Sequence, residues 1–106
     1  MTKFLIKASY TPEGVKGLLK TGGTARQQAV EKSLNGLGGK IESFYFAFGD
    51  DDVYVIAELP DTISAAALAL TINATGLVSL STTILLDVKD IDEAVKRSVV
   101  YRAPGS

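Results

Sequence analysis

The side chains that could do chemistry in this chain are few in kind, because it contains neither histidine nor cysteine. Without imidazole there are no serine–histidine–aspartate triads and no histidine general bases. Without thiols there are no disulfides, no thiolate nucleophiles and no cysteine ligands for zinc or iron–sulfur clusters. Acid–base or binding chemistry must therefore come from lysines, carboxylates and tyrosines.

Four such residues, Lys7, Tyr45, Tyr54 and Glu58, fall on one side of three predicted strands. A tyrosine offers a flat ring and a hydroxyl, and a lysine can neutralise an acidic ligand. A lysine and a carboxylate in a partly dry site form an ion pair, or one of them takes a displaced pKa and serves as an acid or base. We predict these four as ligand-binding residues, assign no catalytic residue and predict no cofactor.

The densest acidic run in the chain is Asp50-Asp51-Asp52. Consecutive residues in an extended segment point to alternate faces, and the alternating acids of a calcium loop are absent. We therefore predict a solvated turn that points outward, and no metal site. The glycines at 22–23 and 38–39 lack the Gly-Lys-Ser/Thr of a phosphate loop, so we interpret them as helix breaks.

Length and charge limit the kind of protein further. The 106 residues suit one domain, and eleven basic residues against twelve acidic ones give a net charge of −1. That balance offers no positive patch for nucleic acid or an anionic membrane, and no apolar run is long enough for a signal peptide or a membrane span. We predict a single cytoplasmic domain over residues 1–98 with a C-terminal tail over 99–106.

Hydrophobic alternation and helix-capping signals predict the order β-α-β-β-α-β-α. Four segments show the period of a strand: 3–10, 40–48, 52–59 and 77–88. The first helix is predicted in two pieces: it begins at Thr11-Pro12-Glu13, breaks at Gly22-Gly23, and starts again at Thr24, which has capping-box spacing to Gln27. The next helix begins at Asp61 and the last at a capping box of Asp90 and Glu93. In the helix that begins at Asp61 we predict a buried stripe of Ile63, Ala66, Ala67, Leu70 and Ala74.

This order predicts an α+β fold of the ferredoxin-like βαββαβ type, with a four-stranded antiparallel sheet, helices on one face and an extra C-terminal helix. The other face of the sheet, which we call the open face, then has no helix to cover it. We predict a dimer or a larger even oligomer joined through this face, because its mixture of apolar and polar side chains suits an interface around a cavity. A half-solvated sheet face is the alternative. The predicted open face consists of Leu5, Lys7, Ser9, Ile41, Ser43, Tyr45, Ala47, Tyr54, Ile56, Glu58, Ser79, Ser81, Thr83 and Leu85.

Three stretches of the chain resemble the GYD-domain family. They are 37–41 (LGGKI), 48–61 with Phe48-Gly49 and Asp50 to Val53 leading into Glu58 to Asp61, and the alanine-rich helix 65–70 before Gly76. Gly49 and Asp52 match the glycine and aspartate of the naming motif, whereas Asp51 stands where many members have tyrosine. The resemblance implies a small bacterial or archaeal protein of the dimeric α+β barrel type.

Three functions remain open. The first is a small homo-oligomeric binding module that holds an organic molecule between sheet faces. The second, implied by the likeness to α+β barrels, is a cofactor-independent oxygenase- or isomerase-like enzyme that uses the same cavity. The third is a purely structural oligomer. The expected partners are a second copy of the chain and a small organic ligand, with neither nucleic acid nor a membrane.

Overall fold

A computed structural model describes all 106 residues and confirms the predicted fold class. Four antiparallel strands form one sheet, two helices cover one of its faces, and a third helix follows the last strand. The elements are β1 Thr2–Tyr10, α1 Pro12–Gly36, β2 Lys40–Phe46, β3 Val53–Leu59, α2 Thr62–Asn73, β4 Val78–Leu85 and α3 Val88–Ala94.

The sheet has the strand order β2-β3-β1-β4, so β1 and β3 are its two central strands. Buried and half-buried residues alternate over residues 3–9 of β1 and along the whole of β3. The buried set turns toward α1 and α2, where side chains from these helices complete the core. The core consists of Phe4, Ile6, Ala8, Leu34, Val53, Val55, Ala57, Leu59, Ala65, Leu68 and Val78.

Helix α1 begins where the sequence predicts. Thr11 is the N-cap, and its hydroxyl accepts a hydrogen bond from the Gly14 N–H at 3.2 Å. The predicted break also occurs, because Gly22 takes φ +84° and interrupts the helical backbone. That conformation is open to glycine at little steric cost, so the chain changes direction there and then continues as helix to Gly36.

The buried side of α2 differs from the prediction. Ala65 and Leu68 are buried, with Ile72 packed against the core, whereas Ile63 and Leu70 are about three-quarters exposed. The predicted stripe of Ile63, Ala66, Ala67, Leu70 and Ala74 is therefore wrong and forms the outer side of the helix. This helix is apolar on almost every side, so periodicity alone could not select the face that meets the sheet.

Strand β2 contains an irregularity that changes the predicted open face. Ile41 pairs with Ala57, but the next paired residue, Ser43, is opposite Ile56, so Glu42 is an extra residue in this strand. The extra residue shifts the alternation, and Ile41 lies on the helix side, packed against the core. The assignment of Ile41 to the open face was wrong for that reason.

The C-terminal part begins its helix earlier than predicted. Strand β4 ends at Leu85, and α3 starts at Val88 with Asp87 as its N-cap rather than Asp90. The Asp87 N–H donates to the Asp90 carboxylate at 2.9 Å, which gives the same capping arrangement three residues upstream.

None of the three helices combines the length and apolarity needed to cross a bilayer.

Replacing Gly14 by alanine is expected to lower the free energy of unfolding by about 1–3 kcal/mol, the usual cost of overpacking. A methyl group there would collide with the Leu77 carbonyl oxygen and lie 3.1 Å from the Tyr10 ring. Gly17 on the same helix has no atom within 4 Å of that position, so Gly17→Ala should raise stability by about 0.5–1 kcal/mol. Urea denaturation of both variants measures the contrast, and equal effects would contradict the packing described here.

Stability should also depend on Asp61 at low pH. Its carboxylate accepts a hydrogen bond from the Ser64 N–H at 2.7 Å, which lowers the pKa of Asp61 below its ordinary value. This stabilisation is complete above the pKa that Asp61 has in the unfolded chain. It is lost as the pH falls through the lower pKa that Asp61 has in the folded chain. The difference in unfolding free energy between the parent chain and Asp61→Asn should therefore shrink as the pH falls from about 4 to about 2. A difference that stays constant over that interval would refute the assignment.

Candidate functional site

The four residues predicted to bind a ligand all belong to the open face, and three of them are neighbours. Tyr45 on β2 is opposite Tyr54 on β3, Tyr54 is opposite Lys7 on β1, and Lys7 is opposite Ser81 on β4. One row across the whole sheet is thus formed by Tyr45, Tyr54, Lys7 and Ser81, and we call it the tyrosine–lysine row. At the usual strand spacing the row is about 14 Å long.

Lys7, near the middle of this row, is a half-buried cation without a carboxylate partner. The structure contains three salt bridges, and Lys7 takes part in none of them. Tyr54 beside it is half-buried, while Tyr45 at the edge strand is 70% exposed. The row therefore offers an available ammonium group and two phenol rings on one surface.

Glu58 is separated from this row. It lies four residues after Tyr54 on β3, about 13 Å along the strand, and its carboxylate is 3.3 Å from the Lys40 ammonium. The Lys7–Glu58 ion pair that the sequence allowed is therefore not formed. Of the four predicted residues, the structure brings together Lys7, Tyr45 and Tyr54, and places Glu58 elsewhere on the same face.

The surroundings of Glu58 form a separate charged end of the open face, made of Lys3, Lys40, Glu42 and Glu58. Lys3 and Glu42 make a salt bridge of 2.9 Å that reaches across β3. The hydrogen bond and charge of Glu42 raise the pKa of Lys3, with smaller contributions of the same sign from Asp87 and Glu58. All four charged groups are thus partnered here, unlike Lys7.

An uncharged row lies between the charged end and the tyrosine–lysine row. Leu5 and Ile56 are opposite each other at its centre, with Ser43 and Thr83 on the outer strands. Leu5 and Ile56 are only half-buried, because no helix covers this side of the sheet. The open face therefore changes along the strands from paired charges, through an apolar centre, to a free cation between hydroxyl groups.

The acidic run does not point outward as predicted. Asp51 accepts a hydrogen bond from the Ser9 hydroxyl at 3.0 Å, and Asp52 accepts one from the Tyr10 N–H at 2.8 Å. The Asp52 N–H also donates to the Ala8 carbonyl at 2.8 Å, so the loop after β2 is bound to the end of β1. Only Asp50 remains exposed, and no group of acidic residues is arranged to hold a metal ion.

Sequence reasoning missed a groove on the helix side of the sheet. A groove of about 370 Å³ runs between α1 and α2, with Tyr10, Arg26, Val30 and Ile72 among its walls. Arg26 is half-buried and makes no salt bridge, and burial raises the pKa of Tyr10 against the opposing effect of the Arg26 charge. The signal for Arg26 was its position four residues before Val30, on the apolar side of α1.

These features define a class of protein: a ferredoxin-like α+β domain with one sheet face covered by helices and the other left open. The model of the GYD domain matches residues 4–95. The chain therefore belongs to the GYD domain family, which confirms the resemblance predicted from its sequence. Comparison with curated proteins and with solved structures gives no significant match.

The role of Asp52 in attaching the loop to β1 can be measured with a matched control. Asp52→Ala should lower the free energy of unfolding by about 1.5–3 kcal/mol, because the Tyr10 N–H loses a charged acceptor. Asp50→Ala, at the exposed position two residues earlier, should change it by at most about 0.5 kcal/mol. If urea denaturation finds the two variants equally stable, the Asp52 carboxylate does not hold the loop.

Proposed function

We propose that this GYD-domain protein binds a small planar organic acid on its open face, in a cavity that a second copy of the chain closes. The observation that carries the proposal is the tyrosine–lysine row. It places the half-buried, unpaired ammonium of Lys7 directly beside Tyr54, with Tyr45 next in line. Convergent polar groups beside apolar side chains are typical of ligand sites.

Each part of such a ligand has a counterpart on this face. An acidic group would meet the Lys7 ammonium, which no carboxylate of the chain neutralises. A flat ring could stack on Tyr45 or Tyr54, and its apolar edge would extend over Leu5 and Ile56 in the adjacent row.

A second copy supplies the wall that one chain lacks. Both helices that pack on the sheet cover the same face, and the rings of the tyrosine–lysine row are left partly exposed. Two copies that pack through their open faces would place two such rows opposite each other and exclude water from Lys7. This arrangement is the homodimer expected from the sequence, and it explains how a shallow sheet face could become an enclosed site.

Binding of benzoate and 2-naphthoate to the parent chain and to Lys7→Met tests this function by calorimetry. The variant should bind at least about tenfold more weakly, because a hydrogen bond to a charged group contributes about 1.5–3 kcal/mol. Lys20→Met is the control: Lys20 is exposed on α1, away from the open face, and its loss should leave affinity unchanged. Equal affinity in all three chains would overturn the assignment of the site to Lys7, and binding to none of them would overturn the proposal in favour of a purely structural oligomer.

A further inference from the structure

The chain ends in a segment that is exposed at every residue. We call residues 86–102 the C-terminal arm; it contains α3 and the nonhelical residues on either side. The arm makes the molecule long: its radius of gyration is 16.9 Å and its greatest dimension 56 Å. A compact domain of this length has a radius of gyration of about 13 Å, so the arm extends away from the body of the domain.

Helix α3 has an apolar side and a polar side, and the polar side is the one that faces its own chain. Asp90, Glu93 and Arg97 line an open cleft of about 650 Å³, whose opposite wall includes Lys3 and Glu58. The apolar side consists of Val88, Ile91 and Val95, at helical spacing i, i+3, i+7. In a helix that packs on its own domain the orientation would be the reverse.

The exposed apolar surface continues along the arm on both sides of α3. Between half and all of each large apolar side chain is accessible, which amounts to several hundred Å² per chain and approaches the ~800 Å² that each partner contributes to a stable dimer. A patch of this size is at the upper limit for a surface that stays in water. The large apolar residues of the arm are Leu86, Val88, Ile91, Val95, Val99, Val100 and Tyr101.

We infer that the C-terminal arm docks on a second copy of this chain, with the two copies exchanging arms reciprocally. The inference rests on the proposed dimer, because the arm leaves the sheet at the charged end of the open face. Leu85 and Lys3 of that face line the cleft together with α3, so a second copy that covers the open face is brought against the arm. Seven apolar side chains from each copy would then be removed from water.

The charge of the arm favours this occupant over a membrane. Four acidic residues, 87, 90, 92 and 93, are balanced by four basic ones, 89, 96, 97 and 102. A helix that binds anionic lipid carries an excess of lysine and arginine on its polar side, which is absent here. Two identical arms with balanced charge can approach each other and a second sheet without net repulsion.

Two substitutions at adjacent positions of the full chain test the inference. Val95 is the C-cap of α3 and continues its apolar side, whereas Lys96 is the polar residue that follows the helix. In a sedimentation dilution series, Val95→Glu should weaken the dimer at least about tenfold. Lys96→Gln changes the charge of the arm by the same single unit and should leave the dissociation constant within about twofold of the parent value. Val95 is 76% exposed in the single chain, so neither substitution should lower the stability of the monomer.

The outcomes separate this inference from the proposed function. A parent chain that stays monomeric at micromolar concentration overturns both the arm exchange and the two-copy cavity. A dimer that responds equally to Val95→Glu and Lys96→Gln overturns the arm exchange alone, since the open faces would then suffice for assembly.

A second measurement locates the arm directly. The chain has no cysteine, so Lys96→Cys provides one attachment point for a nitroxide spin label. The spin-labelled chain, at natural isotopic abundance, is mixed with ¹⁵N-labelled parent chain, so that any paramagnetic broadening acts between copies. Loss of amide intensity in the open face of the ¹⁵N-labelled chain is expected, and undiminished intensity in a dimeric sample would overturn the inference.

Discussion

The organisation of this molecule follows from one constraint: a single four-stranded sheet has two faces, and the helices of the chain cover only one of them. The central strands β1 and β3 bury every second residue against α1 and α2. The remaining residues of the same strands necessarily point the other way. The open face is thus the direct consequence of building the core, and its composition decides what the domain can bind.

The proposed site takes its geometry from the centre of the sheet. Lys7 and Tyr54 are on β1 and β3, each hydrogen-bonded to strands on both sides, so their backbone positions are set by the ladders. The loop after β2 is attached to the end of β1 through Asp51 and Asp52, which limits its movement beside the tyrosine–lysine row. A site on rigid central strands loses less entropy when a ligand binds than a site on loops.

Sequence reasoning failed where two alternatives have the same local pattern. The alternation of β2 is clear, yet one extra residue at Glu42 moves Ile41 to the other face, and a bulge has no reliable pattern in a single strand. In α2, Ile63 and Leu70 have the spacing of a buried stripe, but so does the set beginning at Ala65, and only contact with the sheet distinguishes them. The acidic residues 51 and 52 have the local pattern of a solvated turn. The donors that bind their carboxylates, on Ser9 and Tyr10, are more than forty residues away in the sequence, so no local pattern could reveal them.

Local chemistry in the sequence therefore determined the order of the elements, the helix start at Thr11, the break at Gly22 and the absence of histidine and cysteine chemistry. It also placed Lys7, Tyr45 and Tyr54 on the uncovered face, because alternation in a strand depends only on neighbouring residues. Tertiary structure alone decided that these three form one row while Glu58 pairs with Lys40, and that α3 turns its apolar side away from its own sheet. Those outcomes depend on strand register and on the direction in which the chain leaves β4, which are set by contacts between residues distant in sequence.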